Sequence, residues 1–229
     1  ALAIPLYNHL GHQVGVQIRP DKPRLNREAK PVKYESPPNS RPVFDVPPAT
    51  RKAVLDPTRP LVITEGVIKA DAAASKNIPC VSIAGVYSWR PDDPFWTAVP
   101  LRDRPVYVAF DADLATNPNV RKAAIRLHTE LREHGAVVKV LSLPAGRNGE
   151  KQGLDDFLAG GRTFDDLLAL PTLAEDAVGE SEEVAEPGQY RTTPHGLVRE
   201  IVKQDDVITI PLTNFNAWIT ADVEIDDGS

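Results

Sequence analysis

Between residues 60 and 170, short continuous apolar runs alternate with helical patterns, and two of these runs end in acidic residues. The runs are Leu61 to Thr64, Pro79 to Ala84, Val106 to Phe110 and Val137 to Leu143. Continuous apolar stretches of this length are what strands buried on both faces look like, and such strands belong to parallel sheets. Between them, Val67 to Lys76 is alanine-rich and free of breakers. Residues 120–134 place Val120, Ala123, Ala124, Leu127 and Leu131 on one helical face, with Gly135 at the stop. A β-α-β series of this kind predicts an α/β fold, a mostly parallel, Rossmann-like sheet with flanking helices. Two short helices, Leu154 to Leu158 and Phe164 to Leu170, close it, the second opened by Thr163 with Asp166 three places on.

The flanks read differently. Residues 1–60 hold 11 of the 22 prolines, and through Lys52 nine Lys/Arg stand against four Asp/Glu, a balance of +5. The overall charge of −6 leaves −11 for the remainder. Candidate strands at Gln13 to Arg19 and Val32 to Tyr34, with prolines too close for helices, predict a β-rich basic cap over 1–59. The core domain then covers 60–172. Residues 173–189 are the expected linker, since 174–188 contain six acids and no base. From Tyr190 to Ser229 the pattern is β again, at Gly196 to Val198, Val207 to Ile210 and Ala217 to Thr220. The start at Ala1, the absence of methionine and the terminal Asp226-Asp227-Gly228-Ser229 hairpin signal predict a fragment of a longer protein.

Several classes are excluded. No run approaches the roughly 18 apolar residues of a membrane helix, and there is no secretory signal, so a soluble, cytoplasmic protein is expected. The lone Cys80 rules out an internal disulfide and a zinc site built from several thiolates. Its apolar surroundings predict a buried strand residue.

In open α/β sheets ligands bind beyond the carboxyl ends of the strands. The first core strand runs into Glu65-Gly66, the third into Asp111-Ala112-Asp113, and Asp155-Asp156 follow the fourth. Alternation along an extended chain would put Asp111 and Asp113 on one side. Carboxylates gathered at one edge repel unless a cation lies between them, and hard oxygen ligands suit Mg²⁺ or Mn²⁺ in phosphoryl transfer. The expected metal set is therefore Glu65, Asp111, Asp113, Asp155 and Asp156. A haloacid-dehalogenase-type phosphatase also ends a strand in Asp-x-Asp, but Leu114-Ala115 does not supply the Thr or Val that class wants two residues on, and the motif lies on a late strand.

The ordered motifs resemble a known family. Leu61 to Gly66 with Lys69-Ala70-Asp71-Ala72-Ala73, Val106 to Asp113, Leu143-Pro144-Ala145-Gly146 and Gly153 to Leu158 resemble the Toprim domains shared by bacterial DnaG-type primases, topoisomerases and some nucleases. Gly11 to Arg19 and Lys33-Tyr34-Glu35-Ser36-Pro37 resemble the primase subdomain that precedes Toprim, and the arrangement as a whole is similar to the module of phage and mobile-element primase-helicases. The resemblance implies primer synthesis by nucleotidyl transfer with Glu65, Asp111 and Asp113 catalytic. It further implies Mg²⁺ or Mn²⁺ without zinc, a single-stranded DNA template and nucleotides as partners, and a C-terminal ATPase or helicase domain. Phosphate contacts need Lys and Arg, and Arg19, Arg24, Lys33 and Lys69 are the candidates. The chain departs from the family at Gly153, where an acid is usual, and at Leu114, where an arginine is usual. Two other readings stay open: a Toprim metal-dependent nuclease, and a non-catalytic Toprim module that binds DNA or assembles a helicase. A topoisomerase would need its nucleophilic tyrosine in a large domain that the sequence lacks.

Overall fold

The computed structural model describes residues 1–26, 29–146 and 149–173, apart from the side chains of Asp113 and Ala115, and the backbone of 190–193, 196–203 and 206–211. Two compact units divide the chain, Ala1–Val178 and Gly179–Ser229. The linker expected over 173–189, apart from Leu173, the strand expected at Ala217 to Thr220 and the terminal hairpin signal lie outside the described residues.

The first unit is built on four parallel strands, β3 (Leu61–Glu65), β4 (Cys80–Ile83), β5 (Pro105–Ala109) and β6 (Val137–Val140), in the spatial order β4-β3-β5-β6. Helix α2 (Val67–Ser75) carries the chain from β3 to β4, and α4 (Pro118–Glu133) carries it from β5 to β6. These crossovers leave in opposite directions across the sheet. Because parallel crossovers keep one hand, they fall on opposite faces. Ala70 and Ala73 of α2 pack with Val62, Cys80, Tyr107 and Ala109 on one face, joined by α5 (Leu154–Ala159) and α6 (Phe164–Leu168). Val120, Ala124, Leu127 and Leu131 of α4 pack with Ile63, Val81, Val106 and Val108 on the other. The result is a mixed α/β fold with helices covering both faces of a four-stranded parallel sheet. Every one of these eight elements appears where the apolar pattern predicts it, within a few residues at the ends.

Local chemistry explains the boundaries. Asn117 caps α4 by accepting from the Asn119 N–H, and Pro118 occupies the first turn, where a missing N–H costs nothing. At the other end Ala136 N–H donates to Leu131 O and Gly135 N–H to Arg132 O, a Schellman closure made accessible by φ +83° at Gly135. Thr163 and Asp166 exchange the reciprocal hydrogen bonds of a capping box at α6.

The front segment departs from its expected form. A hairpin of β1 (Leu2–Tyr7) and β2 (Gln13–Arg19) is present, and β1 has no counterpart in the sequence reading. Pro5 hid it. A two-stranded ribbon has only edge strands, so a proline without an N–H is tolerated there. No strand forms at Val32 to Tyr34; single bridges, Leu25 with Pro31 and Ile18 with Glu35, take its place, because Pro31, Pro37 and Pro38 remove the donors a ladder needs. Nor is the segment free of helix. A 3₁₀ turn at Pro48–Thr50 leads into α1 (Arg51–Val54), with proline at the start of the turn, where helices accept it.

Two buried polar groups tie this front to the sheet. Asp45 pairs antiparallel with Ser82 on the outer edge of β4, and its Oδ1 accepts from the Tyr7 N–H at 2.8 Å. An otherwise open sheet edge is thereby covered. Arg104 is 1% exposed and donates to the carbonyls of Ala53, Val54, Arg59 and Pro100, closing the end of α1 against the start of β5. Ile4 and Leu6 of the hairpin pack on Val67, so the basic front stands beside the first turn of α2.

The second unit contains an antiparallel meander, β7 (Tyr190–Thr193), β8 (Gly196–Lys203) and β9 (Asp206–Pro211). Among the described residues no helix is long and apolar enough to cross a membrane.

Candidate functional site

The connections of β3 and β5 diverge, and these two strands are neighbours, with Thr64 level with Ala109. The gap beyond their carboxyl ends is the topological switch point of the sheet, where open α/β folds form their ligand crevice. Glu65 ends β3. Asp111 stands just past β5 on the adjacent strand. The strand order brings together two acids that are 46 positions apart in the chain.

Backbone geometry keeps this edge accessible. Gly66 has φ +87° between β3 and α2, a conformation that L side chains rarely adopt, and its N–H donates to Ile83 O. After β5 the chain turns at once into a 3₁₀ segment, Ala112–Ala115, with Leu114 N–H donating to Asp111 O. The period-two alternation expected of Asp111 and Asp113 does not hold, since the backbone between them is no longer extended. Leu114, 1% exposed, serves the core under α4.

Asp111 is 8% exposed and flanked by two ammonium groups. Lys69, in the first turn of α2, pairs with its Oδ1, and Lys151 Nζ lies 3.0 Å from Oδ2. Asp155, in the first turn of α5, joins them. A Cβ placed on Gly153 would stand 2.6 Å from Asp155 Oδ1, 2.7 Å from Lys69 Cε and 3.3 Å from Asp111 Oδ1. Those three side chains therefore converge on the space that glycine leaves open. The segment is held in place by Ala112 N–H donating to Gln152 O at 3.0 Å. Asp155 Oδ1 is shielded from solvent and accepts no hydrogen bond among the described residues, and Asp111 Oδ1 is likewise shielded, with the Lys69 ammonium as an ion-pair partner but no hydrogen bond.

Asp156 has a different surrounding. It is exposed and its Oδ2 accepts from the Gly153 N–H at 3.2 Å, a helix-capping contact. Asp113 lies on the 3₁₀ segment next to the cluster. In the front, Arg19 and Lys33 line one shallow cavity of about 390 Å³ with Leu2, Pro20 and Pro23, while Arg24 pairs with Glu35 at 2.6 Å. Arg19 also lies over the Tyr34 ring, 5.8 Å from its centroid.

The sequence places Glu65, Asp111, Asp113, Asp155 and Asp156 at one edge with Lys69 as a candidate phosphate contact, and the structure adds Lys151. Both lysines are partners of Asp111. A signal was present for Lys69: a cation in the first turn of a helix opposes the helix dipole and needs an acid to hold it. Gly153, seen in the sequence only as a missing acid, supplies the space in which the cluster assembles.

A resident divalent ion of the Mg²⁺ or Mn²⁺ kind needs several hard oxygen donors. The carboxylate oxygens are of the right kind, and Asp155 Oδ1 is an unsatisfied acceptor. Both oxygens of Asp111 are nevertheless engaged by ammonium groups, and among the described residues no three His, Cys, Asp or Glu side chains are grouped to hold a metal. As the side chains stand, they do not form a metal cage.

Residues 52–163 match a family model described as "Domain of unknown function (DUF3854)". No curated protein matches the chain. Among solved structures, the zinc-binding and RNA polymerase domains of the Aquifex aeolicus primase are similar at 17% identity and a TM-score of 0.49. The alignment covers 76% of this chain and 41% of that one.

Proposed function

We propose that the first unit is a Toprim-like module that performs primase-type nucleotidyl transfer on a single-stranded DNA template. The observation that carries this reading is the convergence of Asp111, Asp155, Lys69 and Lys151 beside the switch point between β3 and β5, with Glu65 ending the neighbouring strand β3. Acids alone would repel a polyphosphate. Acids interleaved with lysines can receive one and still offer a base. In this proposal Lys69 and Lys151 meet the phosphates of the incoming nucleotide, and Glu65 takes the proton of the attacking 3′-hydroxyl. The hydroxyl oxygen bonds to the α-phosphorus, the bond to the β-phosphate bridge breaks, and pyrophosphate leaves. Mg²⁺ or Mn²⁺ belongs to the proposal as the counter-ion that accompanies the nucleotide, with Asp111, Asp113, Asp155 and Asp156 assigned to it from the motifs alone. Arg19 and Lys33, which share a cavity in the basic front, are the proposed contacts to template phosphates, and a C-terminal helicase partner rests on the motif order.

One observation favours a second reading. The internal pairing of Asp111 suits a non-catalytic DNA-binding or assembly module, which would need no exposed acid. A single experiment separates these: the protein is incubated with single-stranded DNA, all eight nucleotides and Mg²⁺ or Mn²⁺. Template-dependent primers that vanish in Glu65→Gln and Asp111→Asn support nucleotidyl transfer. Primers made at the wild-type rate by both variants refute the assignment. Fragments released without nucleotides indicate a nuclease, and DNA binding with neither product indicates the non-catalytic module.

A further inference from the structure

The pairing of Asp111 has a consequence for how a divalent ion reaches this edge. Lys69 and Lys151 differ in setting. The Lys69 side chain is 18% exposed and its stem runs through the space beside Gly153, whereas Lys151 is 51% exposed. Solvent screening makes the Lys151 pair weak, and the more buried Lys69 pair dominates. Lys69 also sits against the dipole of α2, a position that only the acid it pairs with makes favourable. The inner group, Asp111 and Asp155 with Lys69 and Lys151, carries no net charge. Most of the repulsion that would otherwise call for a metal is already cancelled from within the chain.

We infer that Lys69 is a built-in counter-ion that competes with a divalent cation for Asp111, so that a metal engages this carboxylate only by displacing the lysine. The inference rests on the reading of this edge as a site that receives a divalent ion, but not on primer synthesis. Lys69 is thereby a positioning residue that sets the metal affinity of the edge. A polyphosphate that draws the ammonium away would open Asp111 to the ion it brings, and by linkage the two would then bind each other's site more tightly together than apart.

The sign of one substitution decides the matter. Were Lys69 merely a strut that holds Asp111 in place, removing it would weaken metal binding. As a competitor, its removal must strengthen it. Mn²⁺ binding to the full chain is measured by calorimetry and by the paramagnetic resonance of free Mn²⁺ for wild type, Lys69→Met, Lys69→Gln and Lys151→Met, with circular dichroism confirming the fold. The expected result is Mn²⁺ affinity raised about tenfold or more in both Lys69 variants, within about threefold of wild type in Lys151→Met, and the gain erased when Asp111→Asn is added to Lys69→Met. Wild-type protein supplies a check that needs no variant at Lys69: Mn²⁺ should speed acylation of Lys69, read by mass spectrometry, and should not do so in Asp111→Asn. Unchanged or weakened Mn²⁺ affinity in the Lys69 variants, or acylation of Lys69 indifferent to Mn²⁺, overturns the inference. Failure of primer synthesis with the Mn²⁺ gain intact would sink the nucleotidyl-transfer reading and leave this one standing.

Discussion

Replacing Asp45 by asparagine should stabilise the first unit at neutral pH. Asp45 is 4% exposed, and burial, opposed by the Tyr7 N–H and the Ser82 hydroxyl and assisted by the nearby negative charge of Asp71, lifts its carboxyl from 3.8 to about 6. The folded chain therefore holds the proton to a higher pH than the unfolded chain does. The stabilising contribution of this group is fully present below pH 4 and is lost as pH rises through 6. Above that, the ionised carboxylate costs about 3 kcal/mol relative to its protonated form, taking about 1.4 kcal/mol for each pH unit between the two values. Asparagine can keep both contacts. Its Oδ1 accepts from Tyr7 N–H in the place of the 2.8 Å bond, and its Nδ2 donates to Ser82 Oγ, which now lies 3.3 Å from Oδ2. Urea unfolding of wild type and Asp45→Asn is followed by tryptophan fluorescence from pH 4 to 8. Trp96 is a suitable probe because Phe44, next to Asp45, packs edge-on against it at 5.0 Å. The difference between the two proteins cancels titrations they share. It should be near zero at pH 4 and grow to as much as about 3 kcal/mol in favour of the variant by pH 8. A difference that does not change with pH, or a variant less stable than wild type at pH 8, would refute the reasoning.

Two further outcomes follow from buried geometry. Arg104→Met should cost about 3 kcal/mol or more in urea unfolding, because it strips charged donors from four backbone carbonyls in a dry setting, and Arg104→Lys should recover only part of that loss, since an ammonium lacks the planar fork. Gly153→Ala should change global stability by less than about 1 kcal/mol, its φ of −94° being open to any residue, yet lower primer synthesis at least tenfold by pushing Asp155 and Lys69 apart. Activity equal to wild type in that variant would show that the cluster does not act as a unit.

Much of the core was legible because its signals are local. Buried parallel strands announce themselves as apolar runs, α4 by its spacing of Val120, Ala123, Ala124, Leu127 and Leu131, and α6 by Thr163 with Asp166. The front was less legible. Its order comes from long-range anchors, Asp45 on Ser82 and Arg51 Nη1 on Leu10 O, and its prolines disguise β1 while favouring the turn before α1. Cys80 is as expected, fully buried on β4, and burial pushes its thiol well above the usual range.

By itself the sequence determined that Glu65 and Asp111 would stand at the carboxyl ends of strands, because strand ends follow from where apolar runs stop. It could not determine that those strands are neighbours. The order β4-β3-β5-β6 depends on which way each crossover turns, and that is settled by packing across the sheet between residues distant in the chain. Only the tertiary structure decided that two lysines from different elements, Lys69 and Lys151, would close on one buried carboxylate beside Gly153. An ammonium has no periodicity, and its partner is chosen by the shape of the crevice and the energy of leaving a charge unpaired there.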